Sequence, residues 1–155
     1  MLNLFLSKAN GHLSKLTWID VKKAFDSIDH KQLVECIYKL GFSKWIKTFV
    51  KEITSKWSSD VKAGSERIVN IKVKKGILQG DILNPHLFVL CIDHLSQRLN
   101  ERYPKVSIHA EEISHATNHL LFIDDLILLA TNSTVNGNMV KETMSFFKAI
   151  GLEIN

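Results

Sequence analysis

Asp124 and Asp125 stand side by side in HLLFIDDLILLA, an otherwise apolar run. A carboxylate in such a run is costly without compensation, and two neighbours repel each other. The pair must bind a proton or face a cation, and a divalent metal is the simplest partner. Asp20 ends another apolar stretch, residues 16–20. If the two segments are neighbours in one sheet, three carboxylates meet at one edge. Three hard oxygen donors suit Mg²⁺, which completes its shell with water and phosphate oxygens. Two such ions ~3.5–4 Å apart can activate an attacking oxygen and stabilise a leaving one in phosphoryl displacement. The bland alternative makes all three aspartates turn and cap acids, and their distance in sequence leaves both readings open.

The elements that must place these acids follow from periodicity. Residues 16–20 predict a short strand ending in an acid. Asp29 is placed to cap a helix, with Gln32 in a capping-box arrangement. Leu33, Val34, Ile37 and Leu40 form its apolar face, and Gly41 its stop. Ser43 caps a second predicted helix carrying Ile46, Phe49, Val50 and Ile53. Residues 57–61 and 67–73 predict two strands about a turn at 63–65, with Val69, Ile71 and Val73 on one face. A glycine-marked loop, 76–80, leads to a helix begun by Asn84 as cap and Pro85 as first residue. Its core face is Leu87, Phe88, Cys91, Leu95 and Leu99, and Tyr103-Pro104 ends it. Residues 119–130 predict a hairpin with the acids at its turn, and residues 139–150 a last helix stopped by Gly151. That order is α+β: an antiparallel sheet with helices packed on one face.

At 155 residues, 45% of them hydrophobic, the chain suits one folded domain and argues against intrinsic disorder. A net charge of +4 is compatible with a nucleic-acid partner without establishing one. Cys36 and Cys91 fall at apolar helix positions, as buried free thiols of a reducing compartment rather than a disulfide or metal site. No apolar run is long enough to span a membrane, and residues 2–6 are too short for a signal peptide. His115 and His119 lie four apart, which would suit a zinc hydrolase site on a helix, but their segment reads as strand.

In this order, WIDVKKAFDSIDH, GILQGDILNP and LLFIDDLILLA resemble the A, B and C motifs of reverse transcriptases. The match is nearest in character to non-LTR (LINE-type) retrotransposons, as AFDSIDH and the D-like ending GLEIN both indicate. The resemblance covers residues 16–155. It implies a polymerase palm and an RNA-directed DNA polymerase working by two-metal-ion nucleotidyl transfer. Asp20, Asp124 and Asp125 match the family's catalytic aspartates. With the Val21 carbonyl they would hold two Mg²⁺ ions, or Mn²⁺ in their place. Asp124 is the better ligand, and Asp125 a looser ligand or an electrostatic partner. Phe25 matches the aromatic gate under the incoming sugar, an ordinary core phenylalanine being the alternative. Gln79 and Gly80 match the pair that shapes the nucleotide and template pocket. Asp26 and Asp29 read as turn and cap acids. The implied partners are an RNA template with a DNA primer and deoxynucleotide triphosphates. The resemblance implies no membrane partner, and leads to the expectation that other retrotransposon-encoded domains are missing from this chain. The implied location is intracellular, nuclear or cytoplasmic, and not secreted.

The sequence also departs from its relatives. Ile123 stands where alanine is frequent, Asn84 where serine is, and Ile82 where proline is. The chain opens almost on the A motif and ends inside the D-like one. The expectation is a single partial domain over residues 1–155, palm with part of the fingers, lacking N-terminal fingers, primer grip and thumb. Such a piece should polymerise weakly and expose apolar surface, because orientation supplies much of this reaction's acceleration. The alternative is a non-catalytic retroelement remnant with residual nucleic-acid binding. Three intact aspartates speak against long decay of the site.

Overall fold

A computed structural model describes residues 15–155 apart from 79, 81, 82, 111 and 112. Three antiparallel strands make the central sheet, in the order β1 (Lys15–Ile19), β8 (Asp125–Ala130), β7 (His119–Phe122). Ile19 pairs with Leu126, and Phe122 with Asp125, so β7 and β8 form a hairpin with a two-residue loop, Ile123-Asp124. Alternation sends Ile19, Leu126, Leu128 and Ala130 to one face, where they join the main core. Leu16, Ile127 and Leu129 point to the other face and meet Val106 and Ile108.

Between β1 and the hairpin the chain builds β2 (Val21–Lys22), the short α1 (Ala24–Ser27), α2 (His30–Lys39) and α3 (Lys44–Lys56). The ribbon β3 (Ser58–Ala63) and β4 (Glu66–Lys72) follows, then α4 (Leu83–Arg102). Asp29 caps α2 as expected, its carboxylate accepting from the Lys31 and Gln32 amides at 2.9 and 3.1 Å. Gly41 ends that helix at φ +74°. Ser43 occupies the N-cap position of α3, but its side chain makes no capping bond. The central helix, α4, buries Leu87, Phe88, Cys91, Ile92, Leu95 and Leu99. Each leucine, isoleucine or phenylalanine among them contributes ~1.5–3 kcal/mol on leaving water. Cys36 and Cys91 are buried free thiols.

After the hairpin comes α5 (Ser133–Ala149), with Met139, Phe146 and Phe147 buried, and then β9 (Glu153–Ile154), which pairs with β2. Helices α4 and α5 line the same face of the sheet, giving the expected α+β architecture. Two elements depart from the sequence reading. Helix α5 begins at Ser133 rather than near residue 139, because Asn132 caps it by accepting from the Val135 amide at 2.9 Å. Gly137 and Asn138, weak helix formers, hid that first turn. A hairpin of β5 (Val106–Ala110) and β6 (Ile113–Thr117) lies where no paired strands were read. Its apolar signal is two alternate residues, Val106 and Ile108, which find their partners only across the sheet. Among the described residues no helix is long and apolar enough to cross a membrane.

Candidate active site

The last β1–β8 pair is Ile19 with Leu126. One step further along the same register, Asp20 faces Asp125. Asp20 is exposed between the buried Ile19 and Val21, so its side chain points off the core face. Asp125 points the same way, opposite to Leu126. Asp124 sits in the turn and lines a narrow cleft with Val21, Phe88 and Leu121. The three aspartates that are far apart in sequence therefore share one end of the sheet. Among the described residues no three His, Cys, Asp or Glu side chains form a ready metal cage. The premise of deep burial is corrected. Asp124 and Asp125 are half-buried at a turn, and water relieves part of their repulsion.

The turn itself is strained. Ile123 has φ +57°, a region that a β-branched residue rarely enters and that costs ~1–3 kcal/mol. It is the first loop position of a two-residue hairpin, where glycine is the usual occupant. Ile123 packs against the main core, which holds it there.

Asp20 is positioned by the chain's last residue. The Asn155 side-chain amide donates to Asp20 Oδ2 at 2.7 Å, and its backbone N–H donates to the Asp20 carbonyl at 3.1 Å. In an antiparallel ladder alternate residues direct their polar groups at the partner. Since Asp20 spends its carbonyl on β9, the Val21 carbonyl points away from that strand. Sequence reasoning missed Asn155, and no local signal marks it: the strand pair that brings it home is itself only two residues long on each side.

Phe25 is half-buried and stacks on Phe88 of α4, with ring centroids 4.9 Å apart. Its carbonyl accepts from the Ile77 amide at 2.6 Å, and the Ile28 carbonyl from the Gly76 amide at 2.8 Å. Within the protein, the glycine that another backbone segment approaches closely is Gly76. Gly76 has φ +80°, and a Cβ there would meet the Asp26 backbone at 2.8 Å. Gly80 has φ +100°, a conformation that favours glycine, and no protein atom lies near where a Cβ would stand. Gln79 lies outside the described residues. Asn84 does not cap α4 but lies inside its first turn, buried, with its side-chain amide donating to the Leu78 carbonyl. That bond fastens the loop to the helix.

The zinc alternative loses its key ligand. His119 Nδ1 meets Asn118 Oδ1 at 2.7 Å and Nε2 meets Ser96 Oγ at 2.8 Å, so both ring nitrogens are engaged. Asn118 donates to the Leu99 and Tyr103 carbonyls at 2.7 and 3.0 Å. Its Oδ1 is thus an acceptor, Nδ1 carries the ring proton and Nε2 accepts from Ser96. The network ties β7 to the end of α4.

A family model described as "Reverse transcriptase (RNA-dependent DNA polymerase)" matches residues 5–155. The chain is 27% identical over 151 residues to the Retrovirus-related Pol polyprotein from type-1 retrotransposable element R2 of Popillia japonica, covering 97% of this chain and 24% of that protein. It is 28% identical over 137 residues to the corresponding polyprotein from type-2 retrotransposable element R2DM of Drosophila melanogaster, covering 88% and 12%. The chain thus spans about a quarter or less of these relatives' length. Among solved structures, the telomerase from Candida tropicalis, in complex with the TWJ fragment of telomeric RNA, superposes with a TM-score of 0.62. The identity is 16%, and the match covers 99% of this chain and 27% of that one. The corresponding Candida albicans telomerase gives 0.61 at 14%, covering 99% and 28%. At such identities these two speak for the fold alone.

Proposed function

This chain belongs to the reverse transcriptase (RNA-dependent DNA polymerase) family, and from that premise we propose that it carries the catalytic palm of an RNA-directed DNA polymerase. The observation that supports the reading most is the β1–β8 register, which makes Asp125 the cross-strand neighbour of Asp20 with Asp124 in the adjoining turn. The donors gathered there are all oxygens, without thiolate or imidazole, and this set fits a hard divalent cation. Asp20, Asp124 and Asp125, with the Val21 carbonyl, would hold two Mg²⁺ ions, for which Mn²⁺ can substitute. Bound ions of this kind lower the pKa of an attacking hydroxyl and offset charge on the transferred phosphate.

The chain's own residues supply position. Asn155 fixes the orientation of the Asp20 carboxylate by donating to its Oδ2. The Phe25 ring, braced by Phe88, would lie under the sugar of an incoming deoxynucleotide and leave no room for a 2′-hydroxyl. Gln79 and Gly80 would border the nucleotide and template. The partners proposed are an RNA template and a DNA primer, met inside the cell. The primer 3′-hydroxyl attacks the α-phosphate and pyrophosphate leaves.

Two measurements test this. Titration calorimetry with Mg²⁺ and Mn²⁺ should show binding that Asp20→Asn and Asp124→Asn each weaken. Primer extension on an RNA template should be slow, since the chain spans a small part of its relatives, and should vanish in Asp124→Asn. Extension that survives this change undiminished would sink the assignment.

A further inference from the structure

Helices α2, α4 and α5 border a cavity of about 130 Å³ that shares no lining residue with the cleft beside Asp124. Cys36 of α2 lines it, together with Lys39, His94 and Arg98. Only 6% of Cys36 is exposed, and Cys91 of α4 is wholly buried. The two thiols meet where α2 packs on α4, and they share a hydrogen bond. They are the chain's only cysteines.

Their surroundings make them unequal. The hydrogen bond from Cys91 holds the Cys36 thiol below its ordinary value against the opposing effect of burial, and the cations Lys39 and Arg98 add to it. Glu35 works the other way, but Lys39 engages it at 3.5 Å. Cys91 gives up its proton less readily, because it donates that bond and because it is buried. The thiolate is the nucleophile, so Cys36 is the sulfur prepared to react and Cys91 the one that follows. His94 has a buried Nε2 without a hydrogen-bond partner among the described residues. A small polar molecule entering beside Cys36 can bond to it.

We propose that Cys36 is an oxidation site for small hydroperoxides and that Cys91 resolves it into an intrachain disulfide, which pins α2 to α4. With hydrogen peroxide, the Cys36 thiolate attacks one oxygen and the O–O bond breaks. The other oxygen leaves as water, taking up the proton that Cys36 shed, and Cys36 becomes a sulfenic acid. The Cys91 sulfur then attacks the Cys36 sulfur, the S–O bond breaks, and the hydroxyl leaves as water with the Cys91 proton. Two thiols lose two electrons and two protons, and one peroxide becomes two waters. The inference goes beyond the polymerase reading and owes nothing to it. In a reducing compartment both thiols rest free, as they are here, and the bond forms only under oxidative load. It would brace the helix whose Phe88 supports Phe25.

The test treats the 155-residue chain with hydrogen peroxide in EDTA, then blocks the remaining thiols under denaturing conditions. The intact mass should fall by two hydrogens with no thiol left to block. A digest should give one peptide pair joined through Cys36 and Cys91, which a reductant separates. The native chain should form this bond roughly tenfold faster than the chain in urea, because the fold holds the sulfurs together. The oxidised chain should melt about 5–15 °C higher than the reduced one. Cys91→Ser keeps a hydrogen-bond donor but loses the second sulfur, so oxidation should stop at a Cys36 sulfenic acid that dimedone labels. Cys36→Ser should take no label. Disulfides between chains only, equal rates with and without urea, a lower melting temperature after oxidation, or dimedone on Cys91 in Cys36→Ser would overturn the proposal. Circular dichroism checks that the serine variants fold, and the linked peptide and the urea comparison need no variant.

Discussion

The hairpins β3–β4 and β7–β8 have the same turn. Each has a two-residue loop, Gly64-Ser65 in one and Ile123-Asp124 in the other, and each loop's first residue has positive φ, +63° and +57°. Glycine meets that geometry without strain, and isoleucine does not. Their surroundings differ as sharply. Every residue of β3 and β4 is exposed, and the ribbon is held by cross-strand contacts such as Asn70 to Asp60 at 2.7 Å. The β7–β8 hairpin has β1 as a third strand, two helices beneath it, and Leu126 and Leu128 fully buried. A strained turn persists only where packing over-determines it. The strained turn here is the one that carries the aspartates.

Leu128→Ala should separate the two hairpins most widely. It should cost ~2–5 kcal/mol in a urea denaturation, whereas Ile71→Ala should stay within about 0.5 kcal/mol. Similar losses would mean that the ribbon is covered in solution. Exchanging the turn residues comes next. Gly64→Ile should destabilise by ~1–3 kcal/mol, while Ile123→Gly should be nearly neutral, strain relief offsetting lost packing. A cost beyond about 2 kcal/mol for Ile123→Gly would show that its packing, not its strain, dominates.

The next prediction concerns pH. Burial holds the His119 imidazole below its ordinary value of 6.5, and Lys105 adds to the shift. The unfolded chain therefore binds this proton more readily than the folded one. The stability contributed by the neutral ring is complete above about 6.5 and is lost as pH falls through that value toward the lower folded one. The melting temperature should drop over that window, and His119→Gln should flatten the drop. No histidine lies in β3 or β4, so amide exchange there, corrected for its intrinsic rate, should not follow it. The smallest effect expected is that of Arg67→Ala, which removes the exposed 2.9 Å pair with Asp60. It should change stability by less than about 1 kcal/mol, and less still in high salt.

Much of this was legible along the chain. The Asp29 cap, the Gly41 stop and the core face of α4 are local or periodic signals, and each stands where the sequence placed it. The acids were expected at a hairpin turn, and they are there. What escaped was non-local. Val106 and Ile108 are too few to announce a strand, and gain meaning only against Leu129. Asn84 looks like a cap by type, but the nearness of the Leu78 carbonyl drew its side chain elsewhere.

By itself the sequence determined the motif order, the helical faces and the identity of the three acids, because these rest on residue type and short-range spacing. Only the tertiary structure decided that Asp125 is the aspartate next to Asp20 at the end of the sheet, and that Asn155 steadies it. Strand register and loop docking are set by contacts between segments distant in sequence. Those contacts form only when burial of the common core outweighs the entropy of bringing the segments together.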